Sequence, residues 1–245
     1  MFTLIAGVLT AKRPRNPLIS TLRSLRASGF DSEVYTFAGS PDVDHLNMAA
    51  EYGPLRTATP GKSFWKTVGW DKLSPVKRCA VAKAFMLDCL SRGRKSFDAA
   101  LYFEDDVLFS RDWLVNVCLA VQDLIDKHGR KFILTLSRMG CWYPGEVKKA
   151  AATGKKWYRV NPLTFKGTQA VIFGRDALPG LADSIVKNCI FKGLRRADEE
   201  TGRFADRNGI PIYATAPCLV EHMSVPSIVA PDKVMRKSDL FVEET

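Results

Sequence analysis

The chain has 245 residues, 46% of them hydrophobic and 25% charged, enough for one large domain or two small ones with a substantial core. Thirty-six Lys and Arg against 26 Asp and Glu give a formal net charge of +10, which favours a polyanionic partner, either nucleic acid or an anionic membrane surface. No run approaches the ~20 apolar residues that span a bilayer, which argues against stable membrane insertion, and six scattered cysteines without a Cys-x-x-Cys pair read as free thiols of a reducing cytosol, not as a zinc site.

Thr3 to Leu9 is an apolar run rich in β-formers and reads as a first strand, since it has no basic leader and no small-residue cleavage site. A loop with two prolines, Thr10 to Pro17, leads to a helix over Leu18–Ala27 that sets Leu18, Leu22 and Leu25 on one face and ends at Gly29. Glu33 to Ala38 is a second strand, so the chain opens as a βαβ unit of the kind that builds a parallel sheet. Thr10, Arg13 and Arg15 then lie at the carboxyl end of the first strand. Arginine suits bidentate phosphate contacts, so this loop reads either as a phosphate contact or as a plain basic surface loop.

Pro41 to Leu73 is irregular. Within it, Gly61 to Trp70 places Trp65 and Trp70 beside Lys62 and Lys66, either as a stacking and charge surface for an acceptor or as anchors that fasten a long loop to the core. A helix is predicted from Pro75 to Leu90, with Val76, Ala80, Ala84 and Leu87 on its inner face.

The most informative stretch is Ala99 to Phe109, where an apolar strand ends in three consecutive carboxylates, Glu104, Asp105 and Asp106. Unpaired buried charge is too unfavourable for these acids to continue into a core, so they mark the strand's exit. In open α/β sheets ligands bind outside the carboxyl ends of strands. Side chains two apart share a face, so Glu104 and Asp106 are expected to converge while Asp105 turns away. Such a pair suits Mg²⁺ or Mn²⁺, with phosphate oxygens and waters filling the remaining positions. A solvated acidic turn capping a helix from about Ser110 is the plain alternative.

A helix over Trp113 to Lys127 and a strand over Phe132 to Leu136 follow. Glu146 to Val160 then carries Lys148, Lys149, Lys155, Lys156 and Arg159 beside Trp157 and Tyr158, the best candidate for a surface that meets an anionic acceptor. Gly167 to Leu178 is a small-residue entry into a strand and then a helix. A second basic cluster, Lys187, Lys192, Arg195 and Arg196, precedes Asp198-Glu199-Glu200. Ile210 to Ala214 is a short strand leading to Pro217 and His222, and residues 223–245 read as a lid or tail. With no repeat or linker, one α/β domain over residues 1–245 is expected, with a mostly parallel central sheet flanked by helices.

Taken in order, these features resemble glycosyltransferases of the GT-A (Rossmann-like) fold, in particular the lipopolysaccharide-type group that carries a Glu-Asp-Asp motif. The resemblance rests on Thr10 and Arg13 after the first strand, Glu104-Asp105-Asp106 after an apolar strand, Gly167-Thr168-Gln169-Ala170 leading a strand, the acids at Asp198 to Glu200, and Pro217 followed by His222. It implies a nucleotide-sugar donor, a UDP-sugar by preference, and a bound Mn²⁺ or Mg²⁺ with Asp106 and His222 as ligands. Glu104 or Asp105 would then lie nearer the donor sugar or ribose, Gly167 and Thr168 would line the sugar pocket, and Asp198 or Glu199 would be the base of an inverting reaction. The chain reads Asp-Glu-Glu where the family pattern has a Glu-Asp pair, so the base is open among Asp198, Glu199 and Glu200.

Net charge and the basic, aromatic stretches point to a polyanionic acceptor approached by Lys155, Lys156, Trp157, Arg159 and Trp65. The acceptor expected first is a hydroxymethylated DNA base, as in phage-type enzymes, within a cytoplasm that is the host's if the gene is a phage's. A lipopolysaccharide or other surface glycan is the alternative acceptor. A nucleic-acid-binding protein without activity on a transferase scaffold is the alternative class.

Overall fold

The computed structural model describes residues 2–11, 16–39, 50–58, 60–92, 97–137, 145, 150, 152–165 and 167–223. Arg13, Arg15, Lys148, Lys149 and the tail beyond Met223 lie outside the described residues. The first half runs β1 (Leu4–Thr10), α1 (Leu18–Ala27), β2 (Val34–Ala38), β3 (Leu55–Ala58), α2 (Lys62–Thr67), α3 (Pro75–Arg92), β4 (Ala99–Glu104) and β5 (Val107–Phe109). The second half runs α4 (Trp113–His128), β6 (Ile133–Thr135), β7 (Trp157–Val160), β8 (Ala170–Gly174), α5 (Leu181–Ile185), α6 (Ala197–Arg207), β9 (Ile212–Thr215) and β10 (Val220–His222). A π-helical turn, Val186–Phe191, continues α5.

Eight strands form one sheet in the order β3-β2-β1-β4-β8-β6-β9-β7, while β5 and β10 pair in a separate two-stranded ladder. β3, β2, β1 and β4 are mutually parallel, β8 is reversed, β6 and β9 run with β4, and β7 is reversed. The expected α/β architecture with a mostly parallel sheet is therefore present. The carboxyl ends of six strands open along one edge, and the acids lie there.

Both faces of the sheet are covered, which is why its strands read as continuous apolar runs. Alternation along β4 sends Ala99, Leu101 and Phe103 to one face and Ala100 and Tyr102 to the other. The first face receives Leu18, Leu22 and Leu25 of α1 and Trp113, Val117, Val121 and Leu124 of α4. The second receives Ala80, Ala84 and Leu87 of α3, Leu181 of α5 and Phe204 of α6. Truncating one such fully buried leucine costs about 2–5 kcal/mol, against a few tenths of a kcal/mol for most helix propensities, so burial sets these helices.

The strand ends at the acids, as expected, and a second short strand follows them. The chain leaves the main sheet at Glu104, turns through Asp105 and Asp106, and re-enters extended structure at Val107, opposite His222 of β10. Trp65, expected to face an acceptor, is 5% exposed and meets Trp70 edge-on with ring centroids 4.5 Å apart, so it is one of the loop anchors.

Helix α6 is fixed by two devices. Gly202 lets it approach the turn at Pro162, whose carbonyl oxygen would lie 2.1 Å from an added Cβ. Glu200 is fully buried and accepts from Ser184 Oγ at 2.6 Å, Asn188 Nδ2 at 2.9 Å and an Arg207 guanidinium nitrogen at 2.7 Å, with Arg195 at 3.2 Å. These partners occupy the Glu200 carboxylate. Burial pushes its carboxyl up, but the donors from Ser184, Arg207 and Asn188 outweigh burial and hold it below the usual carboxylate range. A depressed folded pKa stabilises above the unfolded value of about 4.3, and that stabilisation is lost as pH falls through the folded value. Glu200→Gln is therefore expected to lower stability by about 1–3 kcal/mol near neutral pH. In thermal melts the gap to wild type should close in acid, and a gap independent of pH would refute the charged anchor.

Candidate functional site

Residues of β4 through Phe103 are buried, and charge begins where the strand's ladder ends. The Glu104 amide donates to the Gln169 carbonyl at 2.7 Å, just before β8 begins. Its carboxylate Oε1 lies 3.3 Å from Lys83 Nζ and accepts from the Tyr102 hydroxyl at 3.3 Å. Lys83, 4% exposed on the inner face of α3, also donates to Thr168 Oγ1 and stands 5.1 Å from the Tyr102 ring centroid. Burial draws the Lys83 ammonium down, but Glu104, then Cys79 and Asp198, outweigh it and hold the group above its ordinary value, so it stays charged. Burial and the Glu104 charge push the Tyr102 phenol well up, which keeps its hydroxyl a donor.

Asp105, in the turn after β4, faces the end of β1. Its Oδ2 accepts from the Thr10 hydroxyl at 2.7 Å and the Ala11 amide at 3.0 Å, tying the carboxyl end of β1 to that of β4. Thr21 of α1 donates from its hydroxyl toward the Asp105 carbonyl at 2.7 Å. Thr10 and Asp105, both expected to meet the donor, are thus bonded to each other.

Asp106 faces His222. Its Oδ2 is 3.3 Å from His222 Nε2, and its carbonyl accepts from the Met223 amide at 2.7 Å. The antiparallel pairing of Val107 with His222 sets this contact, and His222 Nδ1 lies 2.7 Å from the Met223 carbonyl. A carbonyl partner at Nδ1 makes that nitrogen the donor and turns Nε2 toward Asp106. Burial draws the imidazole down, yet the hydrogen bond and charge of Asp106 and the charge of Glu104 hold it above its ordinary value. The strand ends at Glu104 and Asp106 lies in the turn that follows, so strand alternation does not set how Glu104 and Asp106 face one another.

Among the described residues no group of three or more His, Cys, Asp and Glu is placed to hold a metal ion. The pair Asp106 and His222 nevertheless fits a divalent ion, because a carboxylate stands beside an imidazole whose other nitrogen is fixed by a backbone carbonyl, the usual outer support of a histidine ligand. Magnesium and manganese are commonly held by few protein groups, with phosphates and waters completing the shell.

Gly167 has φ +108°, a conformation that favours glycine, and places Thr168 in the grip of Lys83. Asp198 and Glu199 open α6, with Asp198 Oδ1 accepting from the Glu199 amide at 2.9 Å. Lys155, Lys156 and Arg159 are exposed. Pairing of Trp157 with Thr215 brings Lys155 and Lys156 to the same sheet edge as the acids, four strands from β4, or about 19 Å at ~4.8 Å per strand, while Arg159 pairs with Tyr213 farther down β9. The Trp157 indole donates to Asp123 at 2.7 Å, lies under Lys127 at 4.5 Å and meets Tyr213 at 4.7 Å, so its ring is engaged in packing.

Lys83 and Tyr102 were not legible as site residues. Lys83 stands three positions after Ala80 and four before Leu87, on the predicted inner face, and a lysine there is the one available signal.

Lys83→Met is expected to lower stability by about 3 kcal/mol, the low end for breaking a buried ion pair because Glu104 keeps some exposure. Adding Glu104→Gln should restore part of that loss in denaturant titrations, and strictly additive losses would show that the two charges do not interact.

No family model and no curated protein matches the chain. Among solved structures it is similar to the galactosyltransferase LgtC in complex with donor and acceptor sugar analogs, at 11% identity and TM-score 0.48, over 86% of this chain and 73% of that one. An active-site mutant of LgtC aligns at 14% identity and TM-score 0.46, over 86% of this chain and 72% of that one.

Proposed function

We propose that the chain is a glycosyltransferase that moves a sugar from a nucleotide-sugar donor, a UDP-sugar by preference, to a hydroxyl of an anionic acceptor. The observation that carries this reading is the meeting, at the carboxyl end of β4, of the Asp106–His222 pair with the buried Lys83–Glu104–Thr168 cluster. Asp106 and His222 would hold Mn²⁺ or Mg²⁺, which when bound offsets the negative charge that gathers on a departing diphosphate. Lys83 keeps Glu104 and Thr168 in fixed positions beside that pair, so their oxygens are preorganised for the hydroxyls of a sugar. Asp198, which opens α6, receives the proton of the acceptor hydroxyl in this reading, since Glu200 is occupied by Ser184, Asn188, Arg195 and Arg207. A carboxylate base of this kind accords with inversion at the anomeric carbon.

The exposed Lys155, Lys156 and Arg159 support an anionic acceptor. A DNA base drawn out of its helix needs a free aromatic face to stack on, and the Trp65 and Trp157 rings are engaged in packing. A surface glycan therefore suits this face better than a modified base.

Asp106→Asn should fold normally and lose manganese-dependent UDP-sugar binding in calorimetry, because the change keeps shape and removes the charge a divalent ion needs. Asp198→Asn should keep that binding and lose about 10²–10⁴-fold in turnover. Wild-type donor affinity with manganese in Asp106→Asn would overturn the ion assignment, and donor turnover that survives chelation would overturn the dependence on it.

A further inference from the structure

The basic cluster before α6 has a feature that its charges alone did not announce. The π-helical turn Val186–Phe191 ends with Phe191 79% exposed and Leu194 58% exposed, among the few large apolar side chains so placed. This arrangement is built, not frayed. Cys189 and Ile190 are packed into the second face of the core, the Leu194 amide donates to the Asn188 carbonyl at 2.9 Å, and Gly193 turns the chain at φ +61°. A ring and a leucine are thereby held outward at the end of an anchored helix.

Charge surrounds them. Between Ser184 and Ala197 the chain has Lys187, Lys192, Arg195 and Arg196 and no acid. Lys77, near the start of α3, lies against Gly193, with its Cε and Nζ 3.9 Å from where a Cβ would be. Arg195 is spent on Glu200, while among the described residues Lys77, Lys187, Lys192 and Arg196 have no carboxylate within ion-pair distance. Exposed aromatic and aliphatic tips ringed by unpaired cations are the chemistry that seats a protein in the headgroup region of an anionic bilayer. Among the described residues no helix is long and apolar enough to cross a membrane, so attachment at this loop would be to the surface.

We propose that residues 187–196, with Lys77, form a docking surface for an anionic phospholipid bilayer, Phe191 and Leu194 inserting at headgroup level while Lys77, Lys187, Lys192 and Arg196 engage lipid phosphates. The loop runs directly into Asp198, so docking would place the mouth of the candidate site at the lipid surface, where a lipid-borne or envelope-attached glycan is found. The docking itself does not require the transferase reading.

The full chain is mixed with vesicles of phosphatidylcholine alone or with 30% phosphatidylglycerol, and the bound fraction is measured by flotation at low and at raised salt. Wild type should partition onto the anionic vesicles only, and less at raised salt. Replacing Lys187, Lys192 and Arg196 by Gln should weaken partitioning about 100-fold, at roughly fivefold per charge. Phe191→Ser with Leu194→Ser should weaken it at least about tenfold while leaving the melting temperature unchanged, since both side chains are exposed. Equal binding by the serine variant, or none by wild type, would overturn the proposal. So would duplex DNA binding without vesicle binding, or a dimer dissolved by Phe191→Ser, each of which assigns the patch to another partner. A chain that binds manganese and UDP-sugar but ignores vesicles retains the transferase reading and loses this one.

Discussion

Three carboxylates at the exit of one buried strand are the constraint on which this architecture turns. Two like charges about 6 Å apart at an effective dielectric near 20 repel by about 3 kcal/mol, and burial adds a desolvation penalty to each. The fold answers by giving each acid a partner from a different element. Glu104 has Lys83 of α3 and Tyr102 of its own strand, Asp105 has the end of β1, and Asp106 has His222 of β10. Neutralising the acids therefore also fixes where α3, β1 and β10 meet, so electrostatics and topology are solved by the same contacts.

This coupling explains why β10 exists at all. Val220, Glu221 and His222 have no strand periodicity worth naming, and a three-residue segment is not stable as a strand alone. Pairing with β5 orders it, and the Met223 amide closes on the Asp106 carbonyl. The histidine is delivered by long-range pairing, not by local propensity.

The elements that could be read from the chain are those whose burial imposes a period. Leu18, Leu22 and Leu25 mark α1, and the apolar run from Ala99 to Phe103 that stops at Glu104 marks β4, because each pattern covers enough residues to stand above chance. β3, β7 and β10, of four residues or fewer, and α2, of six, carry too short a pattern and are made by their neighbours. The acids were legible because an apolar run that ends in three carboxylates is unusual, whereas His222 was expected beside Asp106 only through the resemblance to GT-A glycosyltransferases. The counter-ion of Glu104 was not legible, since no local pattern tells a buried lysine from a solvated one. Trp65 shows the same gap from the other side. Its composition context suited an exposed platform equally well, and only tertiary packing against Trp70 and Val81 decides for the core.

The separation of positive charge on the surface bears on what the protein can touch. Lys77 lies six residues, or about 9 Å of helix, from Lys83, while the Lys155–Arg159 strip is about 19 Å from β4 in the strand order. Exposed charges farther apart than a Debye length of about 8 Å are largely screened from one another, so these two groups act separately on anything that approaches. The site's charged pairs, in contrast, are buried and close, and salt screens them little. Salt is therefore expected to weaken contacts made by the exposed lysines and arginines while leaving the Lys83–Glu104 and Asp106–His222 pairs in place.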